Sequence, residues 1–163
     1  INTTIPDGND PIDYMTITND ILSNGAEDCI AVVTNMDQNT HKAYLIYDYE
    51  KLMVQRLRIN VKVGDILRLY YTTDRSGRIN VFYATKIKLP NDLNYAKCID
   101  GIIEKRDYRD FAFLISGSIR SFVPPALVRK RNLRNGDMVK GLIIYDYNST
   151  RDSWNWVCKK IIE

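Results

Sequence analysis

The stretch Tyr95–Ile161 reads YAKCIDGIIEKRDYRDFAFLISGSIRSFVPPALVRKRNLRNGDMVKGLIIYDYNSTRDSWNWVCKKI, and it decides the fold. Ala96–Glu104 predicts a first strand. Phe111-Ala112-Phe113-Leu114 follows a charged turn and predicts a second, and Ser121-Phe122-Val123 a third, closed by Pro124-Pro125. After Leu133-Arg134-Asn135-Gly136-Asp137 come Met138–Tyr147 and then Ser153–Ile161. Five short strands separated by turns rich in Gly, Asp, Asn and Arg predict a small closed β-barrel.

Five strands with a short helical or turn segment after the third is the order of an oligonucleotide/oligosaccharide-binding (OB) barrel. Four blocks go further. Gly101-Ile102-Ile103-Glu104, Phe111-Ala112-Phe113-Leu114, Phe122-Val123-Pro124-Pro125-Ala126-Leu127-Val128-Arg129 and Asn132–Gly141 resemble the RNA-binding barrel of transcription termination factor Rho. More distantly they resemble cold-shock domains. The resemblance covers about the last two-fifths of the chain and implies that Phe111, Phe113 and Phe122 stack on bases. Ile115 stands where Rho would supply a basic residue, and Ala112 replaces the usual glycine between the aromatics. The resemblance is to that barrel alone, and the ATPase motor of Rho is not expected with it.

Outward from this module, the pattern repeats upstream. Cys29-Ile30-Ala31-Val32-Val33 parallels Cys98-Ile99-Asp100-Gly101-Ile102, and Lys42–Ile46 loosely parallels Arg109–Phe113. Asn60-Val61-Lys62-Val63-Gly64-Asp65 parallels Asn132-Leu133-Arg134-Asn135-Gly136-Asp137. The Gly-Asp pair is the strongest anchor. Glycine tolerates a positive φ at a sharp turn into a strand, and the Asp side chain can accept backbone N–H bonds. The reading is an internal duplication: an all-β chain of two tandem OB-like five-stranded barrels, residues 29–90 and 93–163, behind an acidic linker or arm at 1–28. Within that arm, Pro11–Leu22 has some helical spacing, opposed by the β-branched Thr16-Ile17-Thr18. The third strand of the first module, near Lys51–Leu57, lacks the Phe-Val-Pro-Pro block. Alternation puts Tyr44 and Ile46 on one face of its second strand and Leu45 and Tyr47 on the other.

Charge is unevenly distributed over the 163 residues. Residues 1–28 carry net −6 with no Lys or Arg, residues 29–92 carry +4, and residues 93–163 carry +5. Two basic modules behind an acidic leader suit a polyanionic partner. The three cysteines, Cys29, Cys98 and Cys158, lack metal-type spacing, which predicts reduced thiols and a cytoplasmic setting. No apolar run approaches the ~20 residues of a membrane-spanning helix. The chain begins at Ile1 rather than Met, as expected of a piece of a longer protein.

No catalytic constellation is visible. His41 is the single histidine, beside Thr40 in an expected hairpin loop. A phosphate-cradling glycine loop and a CxxC pair are both missing, so no cofactor, no metal and no enzymatic activity are expected. What remains is a binding surface. Single-stranded RNA or DNA presents flat π faces and a polyanionic backbone, and rings flanked by cations meet both demands. The candidate rings are Phe111, Phe113, Phe122, Trp154 and Trp156. The candidate cations are foremost Lys105, Arg109, Arg120 and Lys159, with Arg106, Arg134 and Lys160 beside them. Arg129-Lys130-Arg131 reads as a solvated connection. If Val157 and Ile161 face the interior, both tryptophans face outward beside the second and third strands. The alternative is an OB module that binds protein, or other domains of a parent chain, and no nucleic acid.

Overall fold

The computed structural model describes residues 26–162. The segment Pro11–Leu22, with its opposed helical and β-branched signals, and most of the acidic leader lie outside them. Ten strands and a short helix follow in order, in two compact units that part between Lys88 and Leu89.

The first unit holds β1 (Glu27–Asp37), β2 (Lys42–Tyr47), β3 (Lys51–Arg56), β4 (Ile66–Thr73) and β5 (Ile79–Ile87). They form one antiparallel sheet in the order β3-β2-β1-β4-β5. Glu27 and Asp28, expected in the leader, begin β1, and Asp28 pairs with Arg68 on β4 at 2.7 Å. Ala31, Val33, Leu45, Leu67 and Leu69 fill the core, and Tyr47 packs against it. Tyr44 lies on the other face and is exposed, as the alternation predicts. His41 is exposed in the β1–β2 turn at φ 59°. In that turn Asn39 and Thr40 donate backbone N–H bonds to the Asp37 carboxylate and hold its pKa below the ordinary value.

The second unit holds β6 (Ala96–Glu104), β7 (Ala112–Ser116), β8 (Ile119–Val123), helix α1 (Pro125–Arg131), β9 (Met138–Asn148) and β10 (Ser153–Ile162). Its strands close into a barrel in the order β10-β8-β7-β6-β9. This is the strand order of the first unit, with one addition: a parallel contact between Val157 and Phe122 joins β10 to β8. In the first unit the corresponding edges, β3 and β5, are bridged by a side chain, Gln55 Nε2 donating to the Ile79 carbonyl at 3.2 Å.

Both units turn into their fourth strand alike. Gly64 and Gly136 take φ of 93° and 90°. The Gly64 amide donates to the Val33 carbonyl, and the Val33 amide donates to the Asp65 carbonyl in return; Gly136, Ile103 and Asp137 repeat the exchange. The Asp65 and Asp137 carboxylates accept from the amides of Lys62 and Arg134, each at 2.8 Å. The residues chosen from sequence as a fold marker therefore do the same backbone work twice.

The barrel interior of the second unit is built by alternation. Leu114, Val123, Ile103, Ile143 and Cys158 are fully or almost fully buried, and each large apolar side chain contributes roughly 1.5–3 kcal/mol by leaving water. Buried Ser121 satisfies its hydroxyl by donating to the Leu114 carbonyl at 3.0 Å. Helix α1 brings Val128 into the core and ends at Asn132 in the left-handed conformation. Arg129, Lys130 and Arg131, expected as a solvated connection, occupy its last turn, where cations oppose the negative end of the helix dipole.

Gly101 and Gly141 sit where β6 and β9 coil around Leu114. A Cβ at 101 would run into the Ile115 carbonyl, which is backbone and cannot give way; at 141 it would meet Leu114 Cδ2 at 2.7 Å and Cys158 Sγ at 3.0 Å, which are side-chain ends. Gly101→Ala should cost about 3 kcal/mol and Gly141→Ala about 1 kcal/mol in urea unfolding; equal losses would contradict this packing. Burial pushes the Cys29 and Cys158 thiols up to about 12 and about 11, whereas Cys98 is exposed. At pH 8 a thiol reagent should modify Cys98 alone until the protein unfolds. The stability held by the two neutral buried thiols should be complete below the ordinary value of 9.0 and decline as pH rises toward their folded values. Fast modification of two or three native thiols would refute that burial.

Candidate nucleic-acid interface

Since Ala112 and Leu114 on β7 and Ser121 and Val123 on β8 fill the barrel, the residues between them must face outward. Phe113 and Phe122 are directly opposite in the β7–β8 register. Phe111, just ahead of β7, folds over both. Its ring centroid lies 5.7 Å from Phe113, edge to face, and 5.4 Å from Phe122; Phe113 and Phe122 are 6.1 Å apart. All three are half-buried, and none belongs to the core cluster. They form one ring cluster on the outside of the barrel.

Guanidinium groups flank it. Arg120 Cζ lies 3.9 Å from the Phe113 centroid, held there by Glu104, whose Oε1 is 3.2 Å from Arg120 Nη2. Arg109 Cζ is 5.2 Å from the Phe111 centroid and 5.4 Å from that of Tyr108. Arg106 Nη1 donates to the Tyr108 hydroxyl at 3.1 Å; this bond lowers the tyrosine pKa and raises that of the arginine. Glu104, Arg106, Arg109, Phe111, Phe113 and Arg120 line a depression of about 250 Å³. Three cations against one carboxylate leave it positive.

The sequence-predicted residues thus divide. Phe111, Phe113, Phe122, Arg109 and Arg120 come together. Lys105 stands next to them in a different role: its Nζ donates to the carbonyls of Arg106 (3.2 Å) and Arg109 (2.7 Å), and its amide donates to Asn135 Oδ1. It fastens the turn that presents the arginines. Lys159 is held by Asp146 at 2.8 Å, both side chains less than one-fifth exposed.

The expected placement of the tryptophans is corrected. Val157 pairs with Phe122 on the outward face, so Trp156 and Cys158 turn the other way, and Trp156 packs against the core. A bulge between Cys158 and Lys160 then returns Ile161 to the interior. Val157 and Ile161 are therefore not one inner set. Trp154 and Trp156 pack on Tyr145 and Tyr147 of β9, with ring centroids 5.3–6.0 Å apart, and Lys97 Nζ lies 4.9 Å from the Trp156 ring. Sequence alternation cannot locate a bulge, and so the condition that grouped Val157 with Ile161 is not met.

Two site residues were not picked out from sequence. Tyr108 is 72% exposed between Arg106 and Arg109. A bulky ring in the six-residue charged turn Lys105–Asp110, where no core demands it, was the available signal. Glu104 was visible only as the end of a strand.

Among the described residues no group of three His, Cys, Asp or Glu side chains could hold a metal ion, and no helix is long and apolar enough to cross a membrane. No curated protein matches the chain. Residues 97–161, most of the second unit, match the family model described as S1/CSD-like domain 2 of the TOTE conflict systems, an OB-type domain.

Proposed function

We propose that the second unit binds single-stranded nucleic acid on the outer face of β7 and β8. Bases stack on Phe111, Phe113 and Phe122, with Tyr108 as a fourth ring, and phosphates meet Arg106, Arg109 and Arg120. The observation that carries this is the cluster of three phenylalanines outside the core, with guanidinium groups over two of the rings. Leaving such rings half in water is costly unless something covers them, and the cations select an anionic cover. The S1/CSD-like match supports the reading, because OB modules of this kind commonly bind nucleic acid. The likeness of four sequence blocks to Rho points to RNA.

The shared strand order and the duplicated Gly-Asp turn support descent of both units from one OB-like barrel by internal duplication. The three free thiols suit a reducing, cytoplasmic setting. A protein-interaction role is the second reading, and Glu104 favours it: a carboxylate in the depression repels phosphate and would suit a basic peptide.

Anisotropy titration of labelled single strands tests the choice. Phe111→Ala or Phe122→Ala should weaken binding by about fivefold to about a hundredfold, as loss of ~1–3 kcal/mol of stacking per base requires. Arg109→Ala and Arg120→Ala should each flatten the slope of log K against log salt by about 0.7, the value for one phosphate on a single strand. Unchanged affinity in the phenylalanine variants would refute the site, and binding of basic peptides in place of oligonucleotides would establish the second reading.

A further inference from the structure

The outward face does not end at the phenylalanines. Two cross-strand rows run side by side around the barrel. One joins Glu104, Phe113, Phe122 and Val157; the other, two residues away along β7 and β8, joins Met138, Ile102, Ile115 and Arg120. Residues two apart on a strand share a face, so the second row continues the ring cluster. It is apolar and open to water: Ile102 is 51% and Met138 83% exposed. It borders a cleft of about 830 Å³ whose walls include Ile102, Ile115, Met138, Lys140 and Ile162, ample for a nucleoside.

We propose that this cleft is a second base-binding subsite, which takes the nucleotide following those stacked on the phenylalanines. The inference rests on the nucleic-acid reading above and names where the strand goes next. Three observations argue for that occupant. The cleft is continuous with the ring cluster through the strand register. Arg120 stands at the corner shared by both rows, beside Phe113 and opposite Ile115, where the phosphate between two consecutive bases would pass. Lys140 lines the far side, directly opposite Asp100 in the β6–β9 register, and Arg120 ends the strip on β8. The apolar residues of the strip, Met138, Ile102 and Ile115, span three strands, about 10 Å at ordinary strand spacing. Ring faces for two or three bases, extended by this strip, give a footprint of about four or five nucleotides, within the range for one OB fold. Aliphatic walls grip a flat base from its faces, and an unbranched methionine adapts to whichever base enters.

The experiment compares oligonucleotides of three and six nucleotides on the intact chain. It uses the wild type, the double variant Ile102→Ser/Met138→Ser and, as a reference, Phe122→Ala. Both substituted residues of the double variant are exposed, and unchanged thermal unfolding checks that the barrel is intact. The double variant should bind the trimer as the wild type does and the hexamer about tenfold more weakly, whereas Phe122→Ala weakens both. If the double variant binds the hexamer as the wild type does while Phe122→Ala does not, the subsite is wrong and the ring site stands. If the wild type binds neither oligonucleotide, both readings fall. If the wild type self-associates and the double variant does not, the cleft is a protein interface and the subsite is refuted.

Discussion

One backbone contact fixes the rest of the second unit: the parallel bridge from Val157 to Phe122 that closes the barrel. Closure joins the last strand to the third and settles which way every side chain on both must point. Val123 and Ser121 go in, so Phe122 and Arg120 come out; Cys158 and Trp156 turn in, so Val157 comes out. The β7 register then sets Phe113 against Phe122 and Ile115 against Arg120. The surface that bears the rings is thus a consequence of how the interior is filled. Its position is set by the core behind it.

Electrostatics refines what closure provides. Arg120 lies over Phe113 with Glu104 paired to it, and Arg109 lies over Phe111 from a turn that Lys105 fastens through two carbonyls. A guanidinium over a ring is attracted to the π face, and at an exposed site this contributes on the order of 0.5–1 kcal/mol. The same group keeps donors available to an incoming anion. The exposed Arg120–Glu104 pair adds little stability by itself; its effect is to position the cation.

Much of this was legible in the residues, because period-two alternation and turn chemistry act locally. The strands of Tyr95–Ile161 appear within a residue or two of where the pattern places them, and the Gly-Asp turn recurs with the same bonds in both units. Phe111, Phe113 and Phe122 could be grouped since they fall on adjacent strands of one hairpin. What escaped were features set by distant parts of the chain. The bulge at Cys158–Lys160 reverses the alternation that would have put Val157 and Ile161 inside together. The capture of Lys159 by Asp146 pairs residues thirteen apart that no local rule connects. Tyr108 sits in a turn without periodicity, and its place follows from Arg106 and Arg109 rather than from any pattern.

The most direct measurement is the aromatic NMR spectrum of the protein, observed while an unlabelled single-stranded hexanucleotide is added. Ring-current shifts and intermolecular contacts should fall on Phe111, Phe113, Phe122 and Tyr108, while the indole signals of Trp154 and Trp156 on the opposite face of β10 stay in place. Perturbed indoles with unmoved phenylalanines would contradict the account, since the ligand would then occupy a face that the barrel's closure directs away from the rings.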